Sequence, residues 1–263
     1  MSSATQSFFH YHAYAYGFGA QFTRPFQENI DVQAATALPV TGGHGTSRVE
    51  NFKFHEFIRF GAAFTHVSGG KQEEDKSNNT LVTSVIENLN LMEALTIGRT
   101  VCRLYSKHPH DAPEGRVTMQ GSRFENVYIG SHEIKIELNL AMFDKIQTFE
   151  QAKAALAQGG EFKAAVLQAE KTSEAIKNAE CHSSIALSLV KKDGIKVPEG
   201  CGVEVDGHSI YIPGFGRVFF AEVFISHGTR TLTMLRFELG SSTKGGGSGG
   251  SGTTNGKNFP PTG

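Results

Sequence analysis

The chain has no tryptophan, only three cysteines and no long apolar or basic run. No apolar stretch approaches the roughly 20 residues that a membrane-spanning helix needs. Three cysteines, Cys102, Cys181 and Cys201, cannot staple a chain of 263 residues. They are expected as reduced thiols, with a Cys181–Cys201 pair open only in an oxidising compartment. The longest basic run is Lys191-Lys192, and the formal net charge is -1. Phosphate binding needs a concentrated basic surface, so nucleic acid is excluded as the main partner. The missing tryptophan removes the ring most suited to stacking on sugars, which counts against carbohydrate. The N-terminus "MSSATQSFFHYHAY" has neither a cationic start nor a continuous apolar core, so no secretory signal is read there. Localisation stays unassigned, with export by another route or as a mature form left open.

Catalytic signatures are also scarce. Gly246-Gly247-Ser248-Gly249-Gly250 formally matches G-x-S-x-G but lacks the strand before it and the helix after it. The Gly-Phe-Gly triplets at 17–19 and 214–216 lack the third glycine and the strand-to-helix setting of a nucleotide loop. No catalytic residue is assigned.

What the chain does have is glycine, 30 residues, and phenylalanine, 20 residues, in alternating segments. That composition reads as β structure with close backbone approaches. In "HYHAYAYGFGAQF" (10–22) the even positions carry His10, His12, Tyr14, Tyr16, Phe18 and Phe22. The odd ones carry Tyr11, Ala13, Ala15, Gly17 and Gly19. Such a strand has one face of rings and one nearly bare face, which suits close packing within the chain or against another molecule. The assembly surface expected from the two ends comprises Phe8, Tyr11, Tyr14, Tyr16, Phe18 and Phe22, with Phe259 and Pro260 in the tail. His10 and His12, at i and i+2, point to one side of a strand and form a candidate pair of ligands for a divalent metal. His108 and His110 flank Pro109 and form a second candidate pair. No other cofactor is expected.

The pattern apolar-Glu-Asn-apolar occurs at Val49–Phe52, Ile86–Leu89 and Phe124–Val127, with starts 37 and then 38 residues apart. Ser47 and Ser84, Glu56 and Glu93, and Gly61 and Gly98 match at the same 37-residue offset. Even spacing of this kind marks repeated supersecondary units. Each unit holds about two strands, and its Asn is expected at a bulge or turn. Thr148 with Gln151 resembles a capping box, and Gly159-Gly160 a helix stop, so 148–180 reads as a helical hairpin. Asp193-Gly194 and Asp206-Gly207 are hairpin-turn dipeptides. Residues 216–239 read as a long hairpin turning near His227-Gly228, with a bulge near Ala221. The tail 240–263, with nine glycines, reads as a flexible coil or an appended linker, or as a strand laid on a neighbour's sheet edge.

The expected fold is mainly β, a sandwich or barrel of repeated hairpins with an inserted helical hairpin. The divisions are a terminal arm and connection (1–46), a repeat region (47–147), the helical hairpin (148–180), a C-terminal β segment (181–239) and the tail (240–263). The expected function is structural: a self-assembling subunit of a filament, tube or shell, a homo-oligomer joined by strand or arm exchange. The alternative is a metal-dependent β-barrel enzyme, or a small-ligand or carbohydrate-binding module.

Overall fold

The computed structural model describes residues 8–177, 184–240 and 243–259. The first half of the chain is a run of strands: β1 (Phe8–Arg24), β2 (Glu28–Gln33), β3 (Thr36–Ala37), β4 (Gly43–Phe54), β5 (Ile58–Gln72) and β6 (Ser77–Leu91). It continues with β7 (Leu95–Pro109), β8 (Arg116–Thr118), β9 (Arg123–Ile129) and β10 (His132–Leu138). Four helices follow, α1 (Met142–Lys145), α2 (Phe149–Gln158), α3 (Gly160–Thr172) and α4 (Glu174–Lys177). The remainder is β11 (Ser184–Ser188), β12 (Val190–Lys196), β13 (Glu204–Asp206), β14 (Ser209–Ile212), β15 (Gly216–Ser226), β16 (Thr229–Leu239) and β17 (Lys244–Phe259).

These strands build two antiparallel sheets. The nine-stranded sheet runs β13-β14-β15-β16-β17-β1-β2, with β11 on β15 and β3 on β1. The eight-stranded sheet runs β12-β10-β9-β7-β6-β5-β4, with β8 on β7. They pack as a sandwich, with β1 and β17 laid over β5, β6 and β7. The expected mainly-β, sandwich-like architecture with a helical insertion is what the chain adopts.

A crease crosses both sheets, and the Glu-Asn segments lie on it. Along β1 the inward residues are Ala13 and Ala15, then Phe18 and Phe22; along β16 they are Leu232 and Met234, then Leu235 and Phe237. Where a strand switches parity, it or its partner carries a left-handed residue. Asn51, Asn88 and Asn126 have φ of 52°, 55° and 55°, Ala221 has 52° and Gly250 has 65°. No residue is inserted. Glu87 pairs with Arg99 and Leu89 with Ile97, so the ladder skips Asn88 and resumes in the same register. Ala221 behaves alike, so the parity change there needs no extra residue. Asn tolerates this conformation better than other side-chain-bearing residues. The glycines of the pattern complete the device. A Cβ on Gly61 would lie 3.0 Å from Asn88 Nδ2, and one on Gly98 2.9 Å from Asn126 Cβ. Asn88 and Asn126 thus each fold over a glycine on the adjacent strand. One core lies on each side of the crease, one around Tyr11, Val82 and Leu232, the other around Phe18, Leu89 and Phe237.

Two expectations are corrected. The tail is neither a loose linker nor an edge strand: β17 lies between β16 and β1 of its own chain. Its glycines are demanded by packing, since a Cβ on Gly249 would come within 2.8 Å of Ile86 Cδ1 and one on Gly252 within 2.7 Å of Val82 Cγ1. Asp193-Gly194 makes no hairpin. The chain leaves β11 in one sheet and enters β12 in the other, and Asp193 (φ 54°) is a left-handed residue inside β12. The other two turns form as expected, Asp206 pairing with Ser209 and Ser226 with Thr229.

The helices close one side of the sandwich. Thr148 caps α2 with a full capping box, Gln151 N–H donating to Thr148 Oγ1 and Thr148 N–H to Gln151 Oε1. Gly159 at φ 88° ends it. Phe149, Phe162, Val166 and Ala169 are buried with Ile185 and Val223 of the first core. Residues 178–183, which include Cys181 and the last part of the expected hairpin, lie outside the described residues.

Candidate functional site

The expected surface residues of β1 divide. Tyr11 (5% exposed), Phe18 (0%) and Phe22 (1%) are core side chains of their own chain, which corrects their assignment to an assembly surface. Tyr14 stands out at 39% and Tyr16 is half-buried. The side chains of Phe8 and Phe259, and all of Pro260, lie outside what is described. The cause is the parity switch: the small face turns inward up to Gly17 and the ringed face after it.

The histidine pairs do not converge on a centre. His10 and His12 are both exposed on the outer face of β1, where the His12 ring stands 5.8 Å from that of Tyr14. His108 is buried, its Nε2 donates to Ala112 O at 3.1 Å, and its ring meets Phe9 at 5.1 Å, while His110 is exposed. Burial holds the His108 imidazole below its ordinary pKa. The His-Pro-His segment is therefore a turn anchored inward, not a clip with both rings facing out. Among the described residues no three or more His, Cys, Asp or Glu are placed to hold a metal ion. Cys102 is buried with its thiol on Leu232 O at 3.5 Å, and burial raises its pKa far above the ordinary range. Cys201 is half-exposed and free.

A cleft of about 940 Å³ lies between α3, β12 and the β13–β14 turn. Local sequence explains each wall. α3 turns the residues between its core positions outward, so Glu161, Ala165 and Gln168 line one side. The left-handed Asp193 swings β12 so that Lys191, Lys192 and Lys196 line the other. Glycine suits the turn where it meets α3: the φ of Gly207 is 57°, and a Cβ there would sit 2.4 Å from Gln168 Nε2.

At the base lies His208, 2% exposed. Its Nε2 is 3.2 Å from Glu222 Oε1, and Glu222 is itself 1% exposed. Arg236 grips the same carboxylate, Nε to Oε2 at 2.6 Å and Nη2 to Oε1 at 2.9 Å, and extends Nη2 to Ser173 Oγ at 2.7 Å. Its guanidinium lies 3.7 Å over the Phe219 ring and also bonds Glu238. Burial alone would raise the Glu222 pKa, but the hydrogen bonds and charges of Arg236 and His208 outweigh it and bring it to about 2. The carboxylate is ionised and fixed. With Nε2–H donating to it, His208 is left with a buried Nδ1 that has no hydrogen-bond partner. A buried polar atom left so costs roughly 1–3 kcal/mol.

Around this base the charges are mixed. Glu161 accepts from Asn139 Nδ2 at 2.7 Å, Lys191 faces Glu137 at 3.4 Å, and Asp206 faces Arg217 at 3.7 Å. Lys192, Lys196 and Asp193 have no ion pair among the described residues. The cleft offers ammonium donors, a carboxylate and a fixed imidazole over an apolar lining that includes Met142, Val190 and Ile195. Sequence reasoning missed His208, Glu222 and Arg236 because they lie on a turn and two different strands. A signal did exist: Glu222 and Arg236 each interrupt an apolar strand, "VFFAEVFI" and "LTMLRFEL".

The molecule is thus a mainly-β sandwich with a polar cleft where its helical insertion meets the sheets. The chain belongs to the family described as Domain of unknown function (DUF8256), whose model matches residues 9–226, from β1 to the end of β15. No curated protein and no solved structure matches it. Among the described residues no helix is long and apolar enough to cross a membrane.

Proposed function

We propose that this chain is a binding module that holds a small polar molecule in the cleft above His208. The observation that carries the reading is the unpartnered Nδ1 of His208 at the cleft's base, its ring locked by Glu222. A ligand polar group placed there would satisfy the buried nitrogen while Lys192 and Lys196 engage an anionic group. The test is a thermal-shift panel of amino acids, dicarboxylates and sugar phosphates. At least one should raise the melting temperature of the wild type and fail to do so with Ala165→Trp, which fills the cleft. A wild type indifferent to the whole panel, or a shift retained by Ala165→Trp, contradicts the reading.

A second reading keeps the structural role, a subunit of a filament, tube or shell. β4 favours it: this twelve-residue strand ends the eight-stranded sheet, has no buried side chain, and has no strand paired beyond it among the described residues. An unpaired edge of this length can accept a strand from a second copy. Exchange of β1 or β17 would instead have to open the ladder that these two strands form with each other. Sedimentation over a wide concentration range decides: growth into larger species supports it, and a constant monomer removes it.

A further inference from the structure

We propose a second binding surface, independent of the cleft, on the outer face of the nine-stranded sheet, for a neutral polysaccharide chain. Among the described residues the helices pack chiefly on β8, on β11 and on one another, and they reach the outer face of β16 where Ser173 Oγ accepts from Arg236 Nη2. Ser251 and Thr253 on that face are only 1% and 2% exposed. Tyr16 pairs with Ser251 and Tyr14 with Thr253, and Tyr16 Oη reaches Ser248 Oγ at 2.9 Å. Tyr16 therefore leans across β17, whose glycine, serine and threonine leave room for a ring to lie down. Thr231 and Thr233 of β16 extend the rows, bonded to Thr253 at 2.9 Å and to Ser251 at 3.2 Å.

The result is a platform of rings beside hydroxyls, repeating along the strand every 7 Å or so, the distance between alternate residues. The row Ala37–Tyr14–Thr253–Thr231–Phe224 contains no charged residue. The neighbouring row, Tyr16–Ser251–Thr233, reaches a charge only at Glu222, which Arg236 and His208 hold. Ring faces take the C–H faces of sugars, and hydroxyls exchange hydrogen bonds with theirs. Arg236, opposite Ser248 on this face, is held by Glu222 and Glu238, so the surface does not suit a phosphate polymer.

Native affinity gels containing mixed-linkage β-glucan, xylan, galactomannan or dextran test this. At least one polymer should retard the wild type. Tyr14→Ala should weaken the retardation about tenfold, the loss expected for one stacked ring. Thr233→Arg lays a charged arm across the rings without removing either and should act in the same direction, which keeps the test decisive if Tyr14→Ala fails to fold. Tyr105→Ala, which removes a similarly exposed tyrosine on β7, should change nothing. Absence of retardation by all four polymers, or equal retardation of wild type and Thr233→Arg, overturns the proposal. So does a Tyr14→Ala variant that changes only the sedimentation of the free protein, since the face would then be covered by a second copy.

Discussion

At the residue scale, the molecule turns on a few positions where backbone conformation and available space coincide. Gly98 lies under Asn126. Gly98→Ala should therefore cost about 1–3 kcal/mol in urea unfolding, the usual penalty of overpacking. Gly70 has nothing within 4 Å of its would-be Cβ. Gly70→Ala should be neutral or slightly stabilising, because it restricts the unfolded chain. Glu222 gives a pH signature. Its folded pKa of about 2 lies below its ordinary 4.5, so the unfolded chain takes up its proton first as pH falls. The stabilisation is complete above about 4.5 and is lost between there and about 2; it amounts to roughly 3 kcal/mol. Glu222→Gln should be less stable at neutral pH, and its stability should vary less across that acid window. Equal pH slopes in both proteins would show that Glu222 is not held as described.

At the scale of elements, Glu114 fastens the helical layer to the sheet. Its two oxygens accept the Phe149 N–H at the start of α2, at 2.7 and 2.9 Å, and Oε1 also receives Arg230 Nη2 at 3.0 Å. Arg230 is 1% exposed, so Glu114→Ala would strand a buried cation. The expected loss is about 3–5 kcal/mol, with faster amide exchange over 149–158 than over β6. Uniform exchange in the variant would count against this anchoring role. Elements of this kind were legible where local chemistry fixes them: the capping box at Thr148 and the turns at Asp206-Gly207 and His227-Gly228; near Ala221 a bulge was expected, and a left-handed residue in an unbroken register stands there instead. The Asn of each Glu-Asn segment was rightly read as a backbone device, though it works by left-handed geometry in an unbroken register. Asp193-Gly194 misled because a dipeptide that favours left-handed φ serves a strand kink as well as a hairpin. The cleft was not legible, since Lys192, Gln168 and His208 meet only after β12 crosses between sheets.

For the whole molecule, the least strand-like segment occupies a central place. Composition marks 240–263 as coil, but a sheet that must admit Ile86 and Val82 from the facing layer needs glycine there, and neighbouring strands supply the hydrogen bonds. Deleting 244–259 should accordingly abolish cooperative unfolding, whereas loss of a true linker would leave it intact. The two sheets and the helical layer together also create the cleft, and the functional account rests on it. The most direct test is a long-range ¹H–¹⁵N spectrum of histidine-labelled protein, titrated with the amino acid, dicarboxylate and sugar phosphate panel. Binding in the cleft predicts that the His208 Nδ1 resonance moves with at least one member while that of His12, on the outer face of β1, stays in place. A His208 signal unmoved by every member would contradict it.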